Sequence, residues 1–175
     1  MYLGAVAYLE GQGYRQYEIS NFAKRGHTCR HNLKYWNCDE YLGFGPAAHS
    51  FFGGNRFSFK ADTAAYVKGT LPMNSGVEIL SSCEEISEKQ RMGEYVMLRL
   101  RLRDGIDSRT FYRRFGLDFA ELYGRKLEKY MAAGYAGCQD GRYFLTSKGL
   151  FVSNYILSDI LDFADLGSAG FNGTK

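Results

Sequence analysis

Chemically versatile side chains are concentrated between Cys29 and Ser50, in the run CRHNLKYWNCDEYLGFGPAAHS. This run holds two of the three histidines, the only tryptophan, two of the four cysteines and a glycine-rich turn. His31 and Tyr35 are four residues apart, so they share one face if this piece is helical. Such a density of chemically versatile side chains is unusual for a connecting segment.

His31 is a candidate ligand in this run. Imidazole is the commonest side-chain ligand of metal ions, and it also binds heme iron axially. Tyr35 and Trp36 follow it as flat apolar walls that suit a macrocycle. On composition alone, a histidine hydrogen-bonded beneath a loop, with the aromatic rings in the core, is the more common arrangement.

The second half of the run, Gly43–Ser50, is rich in small residues, which allow the backbone to pass close to a ligand or to another strand. It lacks both the Walker lysine and the spacing of a dinucleotide loop, so close packing is favoured. Cys29 and Cys38 are too far apart for a two-cysteine metal knuckle, and we interpret them as free thiols.

The bulk composition is that of an ordinary globular protein, with 175 residues, 45% apolar and 23% charged. A net charge of +3 is too small to predict binding to nucleic acid or to a membrane surface. The four cysteines form no CxxC or CxxxC pair, which argues against an iron–sulfur or zinc site made by this chain alone. Without a secretory signal or a run of ~20 apolar residues, we predict a cytoplasmic protein with no membrane span.

The N-terminal third reads as the end of an α/β unit followed by a hairpin. Residues 3–13 predict a helix, and the strand formers of YRQYEISNFA predict a strand after it. The run SFFGGNRFSF predicts a hairpin that turns at Gly53, Gly54 and Asn55. Asp62 caps a short predicted helix over residues 62–68, and a connector follows over Leu71–Leu80.

The remainder reads as mainly helical. Ser82 and Glu85 form a predicted capping box, and the apolar stripe after them ends near Asp104. Further predicted elements are a helix over Ser108–Phe115, one from Asp118 to about Gly134, a hairpin turning at Asp140-Gly141 and a helix over Lys148–Phe163. This order is that of a winged-helix-like unit. Its arginines are interleaved with acidic residues, so we favour scattered solvated charges over a DNA-binding patch.

Several runs resemble the radical S-adenosylmethionine heme chaperones, long labelled oxygen-independent coproporphyrinogen III oxidase-like proteins. In the first part these runs are Tyr17–Ala23, Arg30–Trp36 (RHNLKYW) and Tyr41–Ser50. Leu98–Ile106 and Leu145–Gly149 resemble the C-terminal domain that chaperones and oxidases share. The HNxxYW pattern is specific to the chaperone branch.

The resemblance implies an α+β chain in three parts. Residues 1–59 would be the end of a partial (β/α) barrel with the HNxxYW segment. Residues 60–163 would be the mainly helical, winged-helix-like C-terminal domain, and 164–175 a disordered tail. Full-length members hold a 4Fe–4S cluster on CxxxCxxC, a spacing that this chain lacks. The resemblance therefore implies a C-terminal half that contributes no iron–sulfur ligands and no catalytic residues of its own and is inactive alone.

The resemblance also implies which residues bind ligands. His31 would bind heme iron, with Tyr35 and Trp36 lining the macrocycle, and Ala23 would contact S-adenosylmethionine. The implied partners are heme or porphyrin, an acceptor hemoprotein and the N-terminal radical half. The alternatives are a fragment of a coproporphyrinogen III oxidase, which the HNLKYW run disfavours, and a winged-helix interaction module.

Overall fold

The computed structural model describes residues 1–70 and 79–161, which form two compact units. Unit 1 combines Met1–Cys38 with the chain from Glu88 onward, and unit 2 is Asp39–Ser87. The units thus divide after Cys38 and after Ser87. The domain division at residue 59 remains a prediction, and the predicted tail lies outside the described residues.

Unit 1 begins with the predicted helix, α1 (Tyr2–Gly11). The prediction of one strand across YRQYEISNFA is wrong. Instead, β1 (Arg15–Gln16) and β2 (Phe22–Ala23) pair antiparallel, and the Tyr17 N–H donates to the Asn21 carbonyl across the bend between them. Ser and Asn in this bend favour turns through local hydrogen bonds, which explains why the strand is interrupted. The short α2 (Arg30–Trp36) follows.

The rest of unit 1 is mainly helical with a small antiparallel sheet. Its elements are α4 (Glu88–Arg99), β6 (Ile106–Asp107), α5 (Ser108–Phe115), a π-helical turn (Ala120–Gly124), α6 (Arg125–Ala132), β7 (Ala136–Gln139), β8 (Arg142–Leu145), α7 (Ser147–Phe151) and α8 (Ser153–Ile160). The strands lie in the order β6-β8-β7. The single helix predicted over residues 148–163 is two helices in the described range, separated at Val152.

Local signals explain why α5 has its predicted bounds. The Asp107 carboxylate accepts the Thr110 N–H at 2.8 Å, which satisfies a free donor of the first turn. Gly116 ends the helix with φ of 68°, a left-handed conformation that glycine adopts without strain. The hydrogen bonds from Thr110 hold the pKa of Asp107 below its ordinary value.

The core of unit 1 lies between these helices and the sheet. Its fully buried side chains include Leu100, Phe111, Phe119, Leu145 and Ile156. Burying each such side chain contributes roughly 1.5–3 kcal/mol relative to exposure. This core therefore supplies the rigid support on which the first 38 residues lie.

Backbone and ring contacts attach the first 38 residues to that support. The Arg103 N–H donates to the Tyr17 carbonyl at 3.0 Å, and Glu18 forms an isolated antiparallel bridge with Leu102. The rings of Tyr2 and Phe151 stack at 5.4 Å between centroids. The N-terminal segment is thus part of unit 1.

Unit 2 is a three-stranded antiparallel sheet with one helix. It contains β3 (His49–Phe52), β4 (Asn55–Phe59), α3 (Thr63–Thr70) and β5 (Leu80–Glu85), with strand order β3-β4-β5. The hairpin predicted at Gly53 and Gly54 is confirmed, and both have positive φ. The Asp62 carboxylate accepts the Ala65 N–H at 2.9 Å, as predicted for the cap of α3.

The predicted capping box of Ser82 and Glu85 is wrong. Both residues lie in β5, where Ser82 pairs with Ser58 and their hydroxyl oxygens are 2.7 Å apart. Helix α4 begins only at Glu88. Of the predicted connector over residues 71–80, residues 71–78 lie outside the described residues.

Candidate functional site

Helix α2 places His31 and Tyr35 on one face, as their spacing predicts. The Tyr35 hydroxyl and the His31 Nε2 are 3.2 Å apart and share a hydrogen bond. The two rings meet edge to face, with centroids 5.1 Å apart and planes at 87°. Both side chains are exposed to solvent, so a ligand can reach them without opening the core.

Trp36 lies at the end of the same helix and is half-buried. Its indole Nε1 is buried and has no hydrogen-bond partner among the described residues. An unsatisfied buried donor costs on the order of 1–3 kcal/mol. Trp36 is thus less exposed than His31 and Tyr35 on the same helix.

The N-terminal half of α2 is oriented by one polar contact. The Asn32 amide donates to the Tyr17 hydroxyl at 3.3 Å. Since Tyr17 belongs to the bend between β1 and β2, this bond connects two of the segments that carry the family resemblance, Tyr17–Ala23 and Arg30–Trp36. None of the seven residues of α2 is fully buried, so this helix depends on such polar contacts.

Ala23 lies in β2, opposite Arg15, and is only 8% exposed. Its methyl group can neither donate nor accept a hydrogen bond, so only its backbone can bind a polar ligand. Its predicted contact with S-adenosylmethionine stays a prediction.

The glycine-rich piece lies in unit 2, where the backbone passes close to itself. A Cβ on Gly43 would lie 2.3 Å from the His49 carbonyl oxygen, and the Gly43 N–H donates to the Ser50 hydroxyl at 3.0 Å. Ser50 is fully buried. The small residue at position 43 is thus explained by close packing against backbone, the interpretation that the sequence favours.

The four cysteines form no disulfide bond. Cys29, Cys83 and Cys138 are exposed and Cys38 is half-buried. Within residues 1–70 and 79–161, no three His, Cys, Asp or Glu side chains are placed to hold a metal ion. These residues do not fit a 4Fe–4S cluster.

Several arginines of the mainly helical part make internal hydrogen bonds instead of pointing freely into solvent. Those in contact with side chains or carbonyls of unit 1 are Arg99, Arg101, Arg103, Arg113 and Arg114. Burial lowers the pKa of Arg101 below its ordinary value. Guanidinium groups bonded in this way are less available to bind the phosphates of a nucleic acid. This agrees with the small net charge, which also argues against nucleic-acid binding.

Sequence reasoning missed two buried polar residues beside the bend. Gln16 is 3% exposed and Glu18 is 1% exposed, and one side-chain oxygen of each has no partner among the described residues. The Gln16 amide nitrogen donates to the Tyr2 hydroxyl and to the Ile19 carbonyl. Their alternation with Tyr17 in a strand-like run was the only available signal.

Comparison with known proteins identifies the main part of unit 1. Residues 86–152 match the HemN C-terminal domain. This part of the chain is thus similar to the C-terminal domain that the HemN family model describes. Its HemN C-terminal domain covers α4 to α7 and includes most of the core.

The similarity to individual proteins extends over nearly the whole chain. The heme chaperone HemW of Bacillus subtilis is 29% identical over 161 residues, which are 92% of this chain and 42% of that protein. HemW of Lactococcus lactis is 28% identical, over 92% of this chain and 41% of that protein. A shorter match is to the mitochondrial radical S-adenosyl methionine domain-containing protein 1 of Bos taurus, 52% identical over 52 residues, 30% of this chain and 12% of that protein.

The fold is similar to that of Escherichia coli HemN, a coproporphyrinogen III oxidase and radical SAM enzyme. The TM-score is 0.66 at 15% identity, over 92% of this chain and 40% of HemN. This chain thus spans well under half the length of the relatives it matches. Among the described residues, no helix combines the length and apolar character needed to cross a membrane.

Proposed function

We propose that this chain is the C-terminal part of a heme chaperone, and that it binds heme for transfer to hemoproteins. The observation that carries the proposal is the exposed His31–Tyr35 pair on α2, attached to the HemN C-terminal domain. The names of its HemW relatives and the HNLKYW run support the same function. We place the protein in the cytoplasm and give its natural partners as heme and an acceptor hemoprotein.

The geometry of α2 suits heme as a cargo. His31 would hold the heme iron through an imidazole nitrogen, and the neighbouring Tyr35 ring lies at 87° to the His31 ring. Once the Tyr35 hydroxyl has left the His31 Nε2, the Tyr35 ring would offer an aromatic face to the macrocycle. Trp36, at the end of the same helix, would extend the apolar wall.

Chemistry on S-adenosylmethionine belongs, in this proposal, to the longer protein. The radical half would supply the 4Fe–4S cluster, and the backbone near Ala23 would contact S-adenosylmethionine. Residues 1–59 would complete the barrel, and 60–163 would form the C-terminal domain. No step of that chemistry is assigned to residues of this chain.

Heme transfer tests the proposal. The chain is loaded with one equivalent of hemin, separated from free hemin, and mixed with apomyoglobin. A chaperone is expected to pass the heme on, seen as the growth of the myoglobin Soret band at the expense of its own. Failure to retain any hemin through the separation would contradict the proposal.

The second candidate is a fragment of a coproporphyrinogen III oxidase, favoured by the structural similarity to HemN. It predicts that the complete protein, with its cluster, decarboxylates coproporphyrinogen III to protoporphyrinogen IX. Formation of that product by the complete protein would favour this candidate over the chaperone.

The third candidate is a winged-helix interaction module. The order α4, β6, α5, α6, β7, β8 with sheet order β6-β8-β7 favours it. If it binds DNA, affinity for random duplex should fall with salt with a log–log slope steeper than about −3. A flat salt dependence would exclude nucleic acid as its partner.

A further inference from the structure

Two arginines of the HemN C-terminal domain hold the end of α2. Arg99, the last residue of α4, donates from Nη1 to the Asn37 side-chain oxygen and from Nη2 to the Gly105 carbonyl, both at 2.6 Å. Arg114 of α5 donates from Nη1 to the Asn37 carbonyl at 3.0 Å and from Nη2 to the Cys38 carbonyl at 2.8 Å. We call these two residues the arginine clamp.

Arg114 itself is fixed before it reaches α2. Its guanidinium lies over the Tyr95 ring, with the central carbon 4.8 Å from the ring centroid. Burial raises the pKa of Tyr95, which keeps this ring a neutral phenol. A planar guanidinium held on an aromatic face presents two parallel donors, and a lysine cannot reproduce that fork.

The acceptors are placed for this clamp by the backbone. Carbonyls at a helix C-terminus lack intrahelical partners and carry partial negative charge. Cys38 has φ of 53°, a left-handed conformation that ends the helix, and its carbonyl and that of Asn37 reach the same guanidinium. The clamp therefore satisfies both carbonyls with charge-assisted hydrogen bonds.

Helix α2 needs such support because it is short. Isolated helices below roughly 12–15 residues are marginal in water, and α2 has seven residues with none fully buried. Without the clamp, α2 is expected to lose its helical register for most of the time. His31 and Tyr35 would then no longer share a face.

We propose that Arg99 and Arg114 are positioning residues for the heme ligand His31. The proposal rests on the proposed function and adds residues outside the HNxxYW run to it. The clamp keeps α2 helical, so that His31 and Tyr35 meet a ligand in their fixed relation. If α2 is helical in only a fraction of the molecules, only that fraction can bind heme. The apparent Kd for heme then rises by the inverse of that fraction.

Trp36 gives a readout of the clamp that is independent of heme. It is the only tryptophan in the chain and lies directly before Asn37. Acrylamide quenching of its fluorescence measures how exposed the Trp36 indole is, and so whether α2 stays packed on the rest of unit 1. Hemin titration of the same samples gives the Kd and, at saturation, the position of the Soret band.

The variants are Arg114→Ala, Arg114→Lys and the matched control Arg113→Ala. Arg113 lies on the same helix, is exposed, and donates only to Thr110 in the described structure. We expect Arg114→Ala to raise quenching of Trp36 and to raise the Kd for hemin about tenfold, the effect of losing charged hydrogen bonds. The Soret band at saturation stays in its wild-type position because His31 is still the ligand. Arg114→Lys should restore part of the affinity, and Arg113→Ala should change neither readout.

Two results would overturn the proposal: unchanged quenching in Arg114→Ala, or a weaker affinity without any change in quenching. If Arg114→Ala fails to fold, Asn37→Ala decides, because it removes only the side-chain acceptor of Arg99. It should increase quenching and raise the Kd about threefold, and no change in either would overturn the proposal. If the wild-type chain binds no hemin, the proposed function is contradicted, and so is the role of the clamp in positioning His31 for heme. In that case, the change in Trp36 quenching between wild type and Arg114→Ala still decides whether the clamp holds α2.

Discussion

Removing one hydroxyl, in Tyr35→Phe, tests how His31 meets a ligand. In the structure the Tyr35 hydroxyl shares a hydrogen bond with the His31 Nε2. If heme iron takes that nitrogen, this bond must break first. The variant keeps the aromatic ring and frees Nε2, so we expect hemin to bind more tightly.

The magnitude follows from the geometry of the bond. At 3.2 Å it is at the long end of the normal range, and both side chains are exposed. A hydrogen bond of this kind contributes about 0.5 kcal/mol net, the lower end for neutral pairs. The expected gain is therefore roughly twofold in affinity.

The assay is a hemin titration followed in the Soret region, with Tyr8→Phe as the control. Tyr8 lies on α1, is 68% exposed and does not belong to α2. Tyr8→Phe should leave the Kd unchanged. Weaker binding by Tyr35→Phe would refute the reasoning, because it would mean that the hydroxyl assists the ligand instead of competing with the iron.

Three further predictions concern stability. Asp107→Ala removes the cap of α5 and should lower the free energy of unfolding, measured in urea, by about 1 kcal/mol. Asp107→Ser keeps a capping oxygen and should retain most of that stability. Equal losses in the two variants would contradict a capping role. The hydrogen bond from Lys129 lowers the pKa of Asp159 from 3.8, so this carboxylate stabilises the fold above that value and loses its effect as the pH falls through the lowered pKa. Asp159→Asn should therefore be less stable than wild type at pH 7, with the difference closing below pH 3.8; an equal difference at both pH values would count against the bond. A Cβ on Gly149 would lie 1.9 Å from the Tyr135 carbonyl oxygen, so Gly149→Ala should cost about 1–3 kcal/mol in thermal or urea unfolding, and a neutral result would show that the backbone there yields easily.

The elements that the sequence predicts well are those with local signals. Helix α5 has its predicted bounds because Asp107 and Gly116 act within one turn of its ends. The hairpin at Asp140-Gly141 follows in the same way, since both residues have positive φ as a type I′ turn requires.

Elements that depend on distant partners were harder to predict. The spacing of Ser82 and Glu85 is that of a capping box and predicts the start of a helix, whereas both residues lie in strand β5. The strand exists because Ser82 pairs with Ser58 and Glu84 with Arg56, and local spacing carries no information on such pairing.

The candidate site shows the same division. The shared face of His31 and Tyr35 follows from helical spacing alone. The arginine clamp that holds α2 cannot be predicted from local spacing, because Arg99 and Asn37 are 62 residues apart, and Arg114 and Cys38 are 76 apart. In the sequence, the clamp arginines could not be told from the solvated ones.

A hemin titration of the wild-type chain, His31→Ala and His27→Ala tests the central claim most directly. His27 is also exposed, lies four residues before His31 and contacts only the Arg25 carbonyl in the described structure, so its variant controls for nonspecific binding. We expect a saturable Soret band for wild type and His27→Ala. For His31→Ala we expect a shifted band and weaker affinity. The same band and the same Kd in all three proteins would contradict it.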